Sequence, residues 1–270
     1  MSRYHPTMNM YRHRGEQVPT ATPYAWPHDA SMSPETTALI IIDMQNDFCS
    51  PNGYLSHQGY SLAPTRAPIP AIHTLLTLFR KHSFPVIFTR EGHRPDLSTL
   101  SSRELHRSRN NPSGLGIGDQ GPLGRLLIRG EPGHDIIPEL TPLPNEPVVD
   151  KPGRSAFAYT DFELLLRVKG IKNLVITGVT TDVCVSCTMR EGNDRGFDCL
   201  LVGDACGASL QRLHDAAVEM VGTEGGIFGA TAGVQEVVSA VEAWAARSAR
   251  GLGKEEDGES TGSSGDRSDE

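Results

Sequence analysis

Apolar residues recur along the chain in two alternating patterns. One is the short continuous run, the longest being Ala38-Leu-Ile-Ile-Ile42, which ends at Asp43. A run of that kind predicts a strand buried on both faces. The other is helical spacing: Ile69, Ile72, Leu75, Leu76 and Phe79 fall on one face of a helix. Pro85 then opens the strand candidate Val86-Ile-Phe-Thr-Arg90, and stretches 148–150, 174–177 and 199–202 read as further strands. Helices are predicted over 161–169, stopped by Gly170, and over 183–195, 210–221 and 234–247. This alternation predicts an α/β fold: a single domain with a mainly parallel, doubly wound, Rossmann-like sheet and helices on both faces.

Three stretches break the pattern. Residues 1–36, rich in Pro, His, Tyr and Ser, predict an extended N-terminal arm whose Tyr24-Ala-Trp26-Pro27 packs on the body or on a neighbouring subunit. From 248 to 270 the chain turns to Gly, Ser, Asp and Glu and predicts a disordered acidic tail, which leaves 37–247 as the domain. Between 91 and 147 Gly, Pro, Arg and Asn crowd together, with Ile136-Ile137 the only clear apolar step. An irregular stretch of that length is usually a functional loop or an interface.

Composition narrows the classes. The net charge is −8, but the last seventeen residues hold seven acidic and two basic side chains, so the rest is nearly neutral and no field recruits nucleic acid. The 37% apolar content and 28 glycines suit a globular chain, and five cysteines are too few for a disulfide scaffold. No apolar run approaches the ~20 residues of a membrane span, and the first residues lack the apolar core of a signal peptide. A cytoplasmic location is expected.

Ligands of open parallel sheets bind beyond the carboxyl ends of strands. Three reactive side chains fall there: Asp43 after the first strand, Lys151 after 148–150, and Cys184 after the small-residue turn Gly178-Val-Thr-Thr-Asp182. A thiol entering a helix N-terminus has its thiolate favoured, an ammonium nearby adds to that, and a carboxylate can take and return the proton. Singly, each residue has an ordinary reading as packing, cap or solvated charge. Together on one rim they make a nucleophilic site.

Asp43-Met-Gln-Asn-Asp-Phe48, Lys151-Pro152 and Gly178-Val-Thr-Thr-Asp-Val-Cys-Val185, in this order, resemble the three signatures of the isochorismatase-like cysteine hydrolases. The resemblance implies a catalytic triad of Asp43, Lys151 and Cys184. It also implies a cis peptide between Val179 and Thr180, and an oxyanion hole from the backbone N–H groups of Thr180 and Cys184. Such donors are typically worth ~3 kcal/mol each. A retained cysteine implies attack on an amide or ureido carbonyl through a thioacyl intermediate. Finer likeness in 89–97, 129–140 and 188–196 is to biuret hydrolases, with the ureidoacrylate amidohydrolases of pyrimidine breakdown as the alternative. The expected activity is cleavage of a C–N bond in a small ureide with release of ammonia.

The resemblance further implies substrate contacts from Gln45, Phe48, Arg90, Arg94, Phe157 and Glu224. Glu224 stands where a biuret hydrolase is expected to carry Gln, and would disfavour an anionic substrate. No metal or other cofactor is expected, since the stretch 49–60 offers only His57, and His93 has no partner at ligand spacing. A homo-oligomer, dimer or tetramer, is expected, with a small-molecule substrate as the other partner and neither nucleic acid nor membrane. Two readings of another class compete: a binding protein without catalysis, and a thiol redox protein using Cys184-Val-Ser-Cys187. Gly116-Ile-Gly-Asp-Gln-Gly121 matches a dinucleotide pattern but lies outside any strand–helix context.

Overall fold

A computed structural model describes residues 18–255, with side chains through residue 250. The expected arm before residue 18 and the tail beyond 255 lie outside the described residues. Strands follow as β1 (Thr37–Ile42), β2 (Val86–Glu91), the short β3 (Gln120–Gly121) and β4 (Gly124–Arg125), β5 (Val148–Lys151), β6 (Asn173–Val179), β7 (Asp198–Gly207) and β8 (Ala230–Ala232). The main sheet has the order β5-β2-β1-β6-β7-β8, all parallel, and β3 and β4 form a separate antiparallel hairpin. From the centre the chain winds outward through β2 and β5, then returns to wind the other way through β6, β7 and β8. The reversal falls between β1 and β6.

Nine α-helices accompany these strands among the described residues: α1 (Asn46–Cys49), α2 (Tyr54–His57), α3 (Ala63–Arg66), α4 (Ile69–Lys81), α5 (Ser102–Ser108), α6 (Phe162–Val168), α7 (Ser186–Asp194), α8 (Gln211–Val221) and α9 (Val234–Glu255). The period-2 geometry of a strand sends alternate side chains of β1 to opposite layers. Leu39 and Ile41 join Ile72, Leu75 and Phe79 of α4 and Val237 and Val241 of α9. Ala38, Ile40 and Ile42 join Phe162 and Leu166 of α6 and Met189 of α7. All six β1 residues are buried, which is why the run carries no polar alternation.

Several expectations need correction. The last helix continues to Glu255, eight residues past the expected boundary, and the Ser248 hydroxyl and Arg250 Nε donate in addition to the carbonyls of Trp244 and Ala246. Propagating an existing helix adds a hydrogen bond for each residue fixed, so a polar sequence can follow one already nucleated. The stretch 91–147 is more ordered than its composition suggests, holding α5, the β3–β4 hairpin and a buried Leu126-Leu127-Ile128 step. In place of one helix over 183–195, a π-helical turn (Thr181–Val185) leads into α7. Residues 18–36, by contrast, take one of the two expected placements and lie against the body: Trp26 is fully buried, Thr22 bridges Thr231, and the Tyr24 hydroxyl donates to Asp198 (3.0 Å). No described helix is long and apolar enough to cross a membrane.

Candidate active site

The reversal between β1 and β6 is the topological switch point at which open α/β sheets bind ligands. Gly178 lets the two strands approach there. Its φ is +111°, and a Cβ would lie 2.1 Å from the Ile42 carbonyl oxygen. One residue past β1, Asp43 takes a left-handed conformation (φ +51°) and is fully buried. Its Oδ1 accepts from the Thr89 hydroxyl at 2.7 Å, and its Oδ2 meets Lys151 Nζ at 2.7 Å. Lys151 also donates to the Gly153 carbonyl (2.9 Å). The peptide between Val179 and Thr180 is cis, and Cys184 follows in the π-helical turn at the head of α7.

A second carboxylate completes the cluster. Glu91 ends β2 directly opposite Lys151 in the β2–β5 register, and its Oε2 lies 3.6 Å from Lys151 Nζ. The Cys184 thiol donates to that same Oε2 at 3.2 Å. Gln45 clamps the Glu91 backbone, accepting from its N–H (2.7 Å) and donating to its carbonyl (3.0 Å). Glu91 was not among the expected site residues, although the signal that picked out Asp43 and Lys151, a reactive side chain at a parallel strand's end, applies to it equally.

Two buried carboxylates against one ammonium set the electrostatics. Burial works against the charge on Lys151, but Asp43, Cys184 and Glu91 outweigh it and keep the ammonium protonated. Burial raises the Asp43 carboxyl above the usual range despite Lys151, and Glu91 adds to the rise. Burial, with Asp43 and Glu91, also raises the Cys184 thiol well above its ordinary value against the pull of Lys151. Cys184 therefore rests as the thiol and not as the thiolate anticipated from the helix terminus. Asp43, Glu91 and Cys184 could in principle ligate a metal, their atoms lying within 4.8 Å of one another. The Lys151 ammonium already supplies the positive charge there, so an added cation would face it at close range. Among the described residues neither His57 nor His93 joins such a cluster.

Cys184 opens onto a cavity of about 230 Å³ lined also by Phe48, Tyr54, Glu91, Arg107, Arg154 and Thr180. No described residue accepts a hydrogen bond from the Thr180 N–H. Of the expected substrate contacts, Phe48 lines this space and the others do not. Gln45 is fully buried behind Glu91. Arg90 is spent on Asp150 (2.8 Å) and Asp135 (3.4 Å), and Arg94 is exposed outside the cavity. Phe157 stacks in the core on Phe162 and Phe197. Glu224 is exposed in a surface turn and is not among the residues lining the cavity. Cys187 is a half-buried free thiol on α7. Arg107, Arg154 and Tyr54 went unrecognised because they come from segments without periodicity, and only the fold gathers them.

The Isochorismatase domain family model matches residues 37–233, from the first residue of β1 to just past β8. Ureidoacrylate amidohydrolase RutB of Methylobacterium radiotolerans is 32% identical over 222 residues, covering 78% of this chain and 81% of that protein. Its namesake in Pantoea ananatis is 36% identical over 170 residues, 62% of this chain and 68% of that one. Among solved structures, a cysteine hydrolase from Pseudomonas syringae superposes with a TM-score of 0.67 at 27% identity, covering 78% of this chain and 94% of its own. The strand-end cluster thus sits on a matched sheet, and the chain belongs to the isochorismatase family of hydrolases.

Proposed function

We propose that this protein is a cysteine amidohydrolase that cleaves a C–N bond of a small linear ureide. The observation that carries the reading is the Cys184 thiol at the cavity, 3.2 Å from Glu91, with the Asp43–Lys151 pair in the same buried cluster. Asp43 takes the thiol proton as sulfur attacks the ureido carbonyl, while the fixed Lys151 ammonium offsets the negative charge that forms. The N–H groups of Thr180 and Cys184 receive the oxyanion. Collapse breaks the C–N bond, Asp43 returns the proton to the leaving nitrogen, and ammonia departs. Water then adds to the thioacyl carbon with Asp43 as base, the C–S bond breaks to release the carbamic acid, and Asp43 returns the proton to the thiolate.

Of the two expected substrates, ureidoacrylate is favoured over biuret. Relatives at 32% and 36% identity carry that name. The carboxylate expected to repel an anion, Glu224, lies on the surface. The test is ammonia release from ureidoacrylate, biuret, nicotinamide and simple amides by the wild type and by Cys184→Ala. The expected result is turnover of ureides with loss of about a thousandfold or more in the variant at unchanged circular dichroism. Retained activity in Cys184→Ala, or hydrolysis of simple amides alone, overturns the reading.

A further inference from the structure

The cavity wall carries charge that the C–N chemistry does not use. Arg107 and Arg154 line it together with Glu91 and Asp182. Behind the arginines sits Glu104, buried in α5, whose N–H is held by the Ser101 cap (3.2 Å). Glu104 Oε1 accepts from Arg107 Nε (3.0 Å) and Nη2 (2.5 Å), and also from Arg154 Nη2. Although burial raises its carboxyl, these partners hold it down at about 2, so it is ionised throughout the working range. Glu104 thus gathers three guanidiniums, with the exposed Arg103 at 3.4 Å on its outer side and Arg107 and Arg154 on the cavity side. A guanidinium has five N–H donors. Arg107 spends two on Glu104 and Arg154 one, and Arg154 makes no other hydrogen bond among the described residues. Spare donors therefore line the space that Cys184 opens into.

The Glu91 end has the opposite character. Glu91 is acceptor-only when ionised and touches the nucleophile, so it suits the N–H groups of a ureido function. A molecule matching both ends is an acyclic ureide with a carboxylate at the far end. We infer that Arg107 and Arg154 form the subsite that takes the carboxylate of a ureido acid, and so are the residues that select the anionic ureide favoured above over a neutral one. A neutral diamide offers those donors only carbonyl oxygens, and charge-assisted hydrogen bonds are roughly twice as strong as neutral ones. Arg107 and Arg154 thus determine specificity, whereas Cys184 does the chemistry. The inference rests on the amidohydrolase reading, and binding separates the two.

Two measurements test it. The first is kcat/KM for ureidoacrylate and biuret in the wild type, Arg107→Gln, Arg154→Gln and Arg154→Lys. The wild type should prefer the anion. The anion-to-neutral ratio should fall tenfold or more in each Gln variant, mainly through KM, and recover in part in Arg154→Lys. The second is calorimetric binding of 3-ureidopropionate to Cys184→Ala, which should weaken by at least tenfold when Arg154→Gln is added. A preference for biuret, or an unchanged ratio in the Gln variants, overturns the subsite. Binding lost with Arg154 but no ureide turnover by the wild type leaves the subsite standing and removes the hydrolase reading. Binding of 3-ureidopropionate that ignores Arg154 removes the subsite even if turnover is found.

Discussion

The strand-end cluster and the cavity wall beside it are held by different means. Asp43, Glu91 and Lys151 stand at or just past the ends of β1, β2 and β5, three neighbouring strands of a parallel ladder. Backbone bonds fix their spacing, and Gly178 closes the gap to β6, from which Cys184 is reached. The wall comes from the seven-residue α5, the four-residue α2 and the loop after β5, fastened by side chains. Asp47 ties α2 to the segment after β4, accepting from the N–H groups of Tyr54 (3.0 Å) and Leu127 (2.9 Å), and Glu104 gathers the arginines. A ladder keeps reacting atoms in register whatever the loops do. Loops bound through single side chains can change their charge pattern without disturbing the chemistry. The strand-end cluster and the cavity wall are therefore separable by mutation.

The largest effect should come from breaking the ladder-borne ion pair. Lys151→Met leaves Asp43 and Glu91 buried without their ammonium, and removing one partner of a buried pair costs about 3–5 kcal/mol. Urea unfolding reads this directly. The double variant Asp43→Asn with Lys151→Met should regain part of the loss, because it no longer buries both carboxylates unpaired. A single variant as stable as the wild type would show that the cluster is not held by charge.

The thiol gives the next test. Since burial and two carboxylates raise Cys184, iodoacetamide should alkylate the resting enzyme more slowly than a free cysteine at pH 7. Its rate should climb about tenfold per pH unit beyond the ordinary thiol pKa of about 8.5. A plateau below pH 8 would mean a preformed thiolate and would remove the need for Asp43 as base.

How far the sequence was legible follows the same division. Strands announce themselves as apolar runs, and a reactive residue closing a run in a parallel sheet points at the ligand side, so Asp43, Lys151 and Cys184 could be found. Glu91 escaped only because β2 was ended one residue early, at Arg90. The wall residues depend on which loops meet in space, and neither periodicity nor motif encodes that. Arg90 and Arg94 were expected in the pocket because they lie in the stretch 89–97 that resembles biuret hydrolases. The register instead pairs Arg90 with Asp150 across β2 and β5, and Arg94 falls outside the strand. Phe157 was expected at the substrate but belongs to the core, where aromatic rings meet at 4.8 and 5.7 Å.

Within the wall, Asp47 offers a smaller effect. Asn can supply one carbonyl oxygen where Asp47 supplies two acceptors, so Asp47→Asn should strand the Tyr54 or the Leu127 N–H at about 1–3 kcal/mol. Burial pushes the Asp47 carboxyl up from 3.8 to about 6, against the two backbone bonds. A folded-state value above the unfolded one gives stability that is full below 3.8 and is lost as pH rises through about 6. The cost of Asp47→Asn, followed by urea midpoints, should therefore shrink from pH 4 to pH 7. A cost that grows over this range would mean that Asp47 is held ionised in the fold.

The smallest effect separates surface from site most sharply, because it predicts opposite outcomes for stability and selectivity. Glu224 was expected to choose between neutral and anionic ureides, yet it sits exposed in the turn Thr223–Gly225 with φ +52° and ψ 30°. That left-handed conformation is unfavourable for Glu and tolerated by Asn, whose short side chain can bond locally. Glu224→Asn should accordingly stabilise the fold by a few tenths to about 1 kcal/mol, measured as a raised urea midpoint at constant slope. Because Glu224 is no part of the cavity wall, the ratio of kcat/KM for ureidoacrylate and biuret should stay within about twofold of the wild type, below the tenfold that 1.4 kcal/mol would produce. A tenfold shift in that ratio would bring position 224 back to the substrate. A loss of stability would mean that the Glu side chain makes a contact in the turn that outweighs its backbone strain.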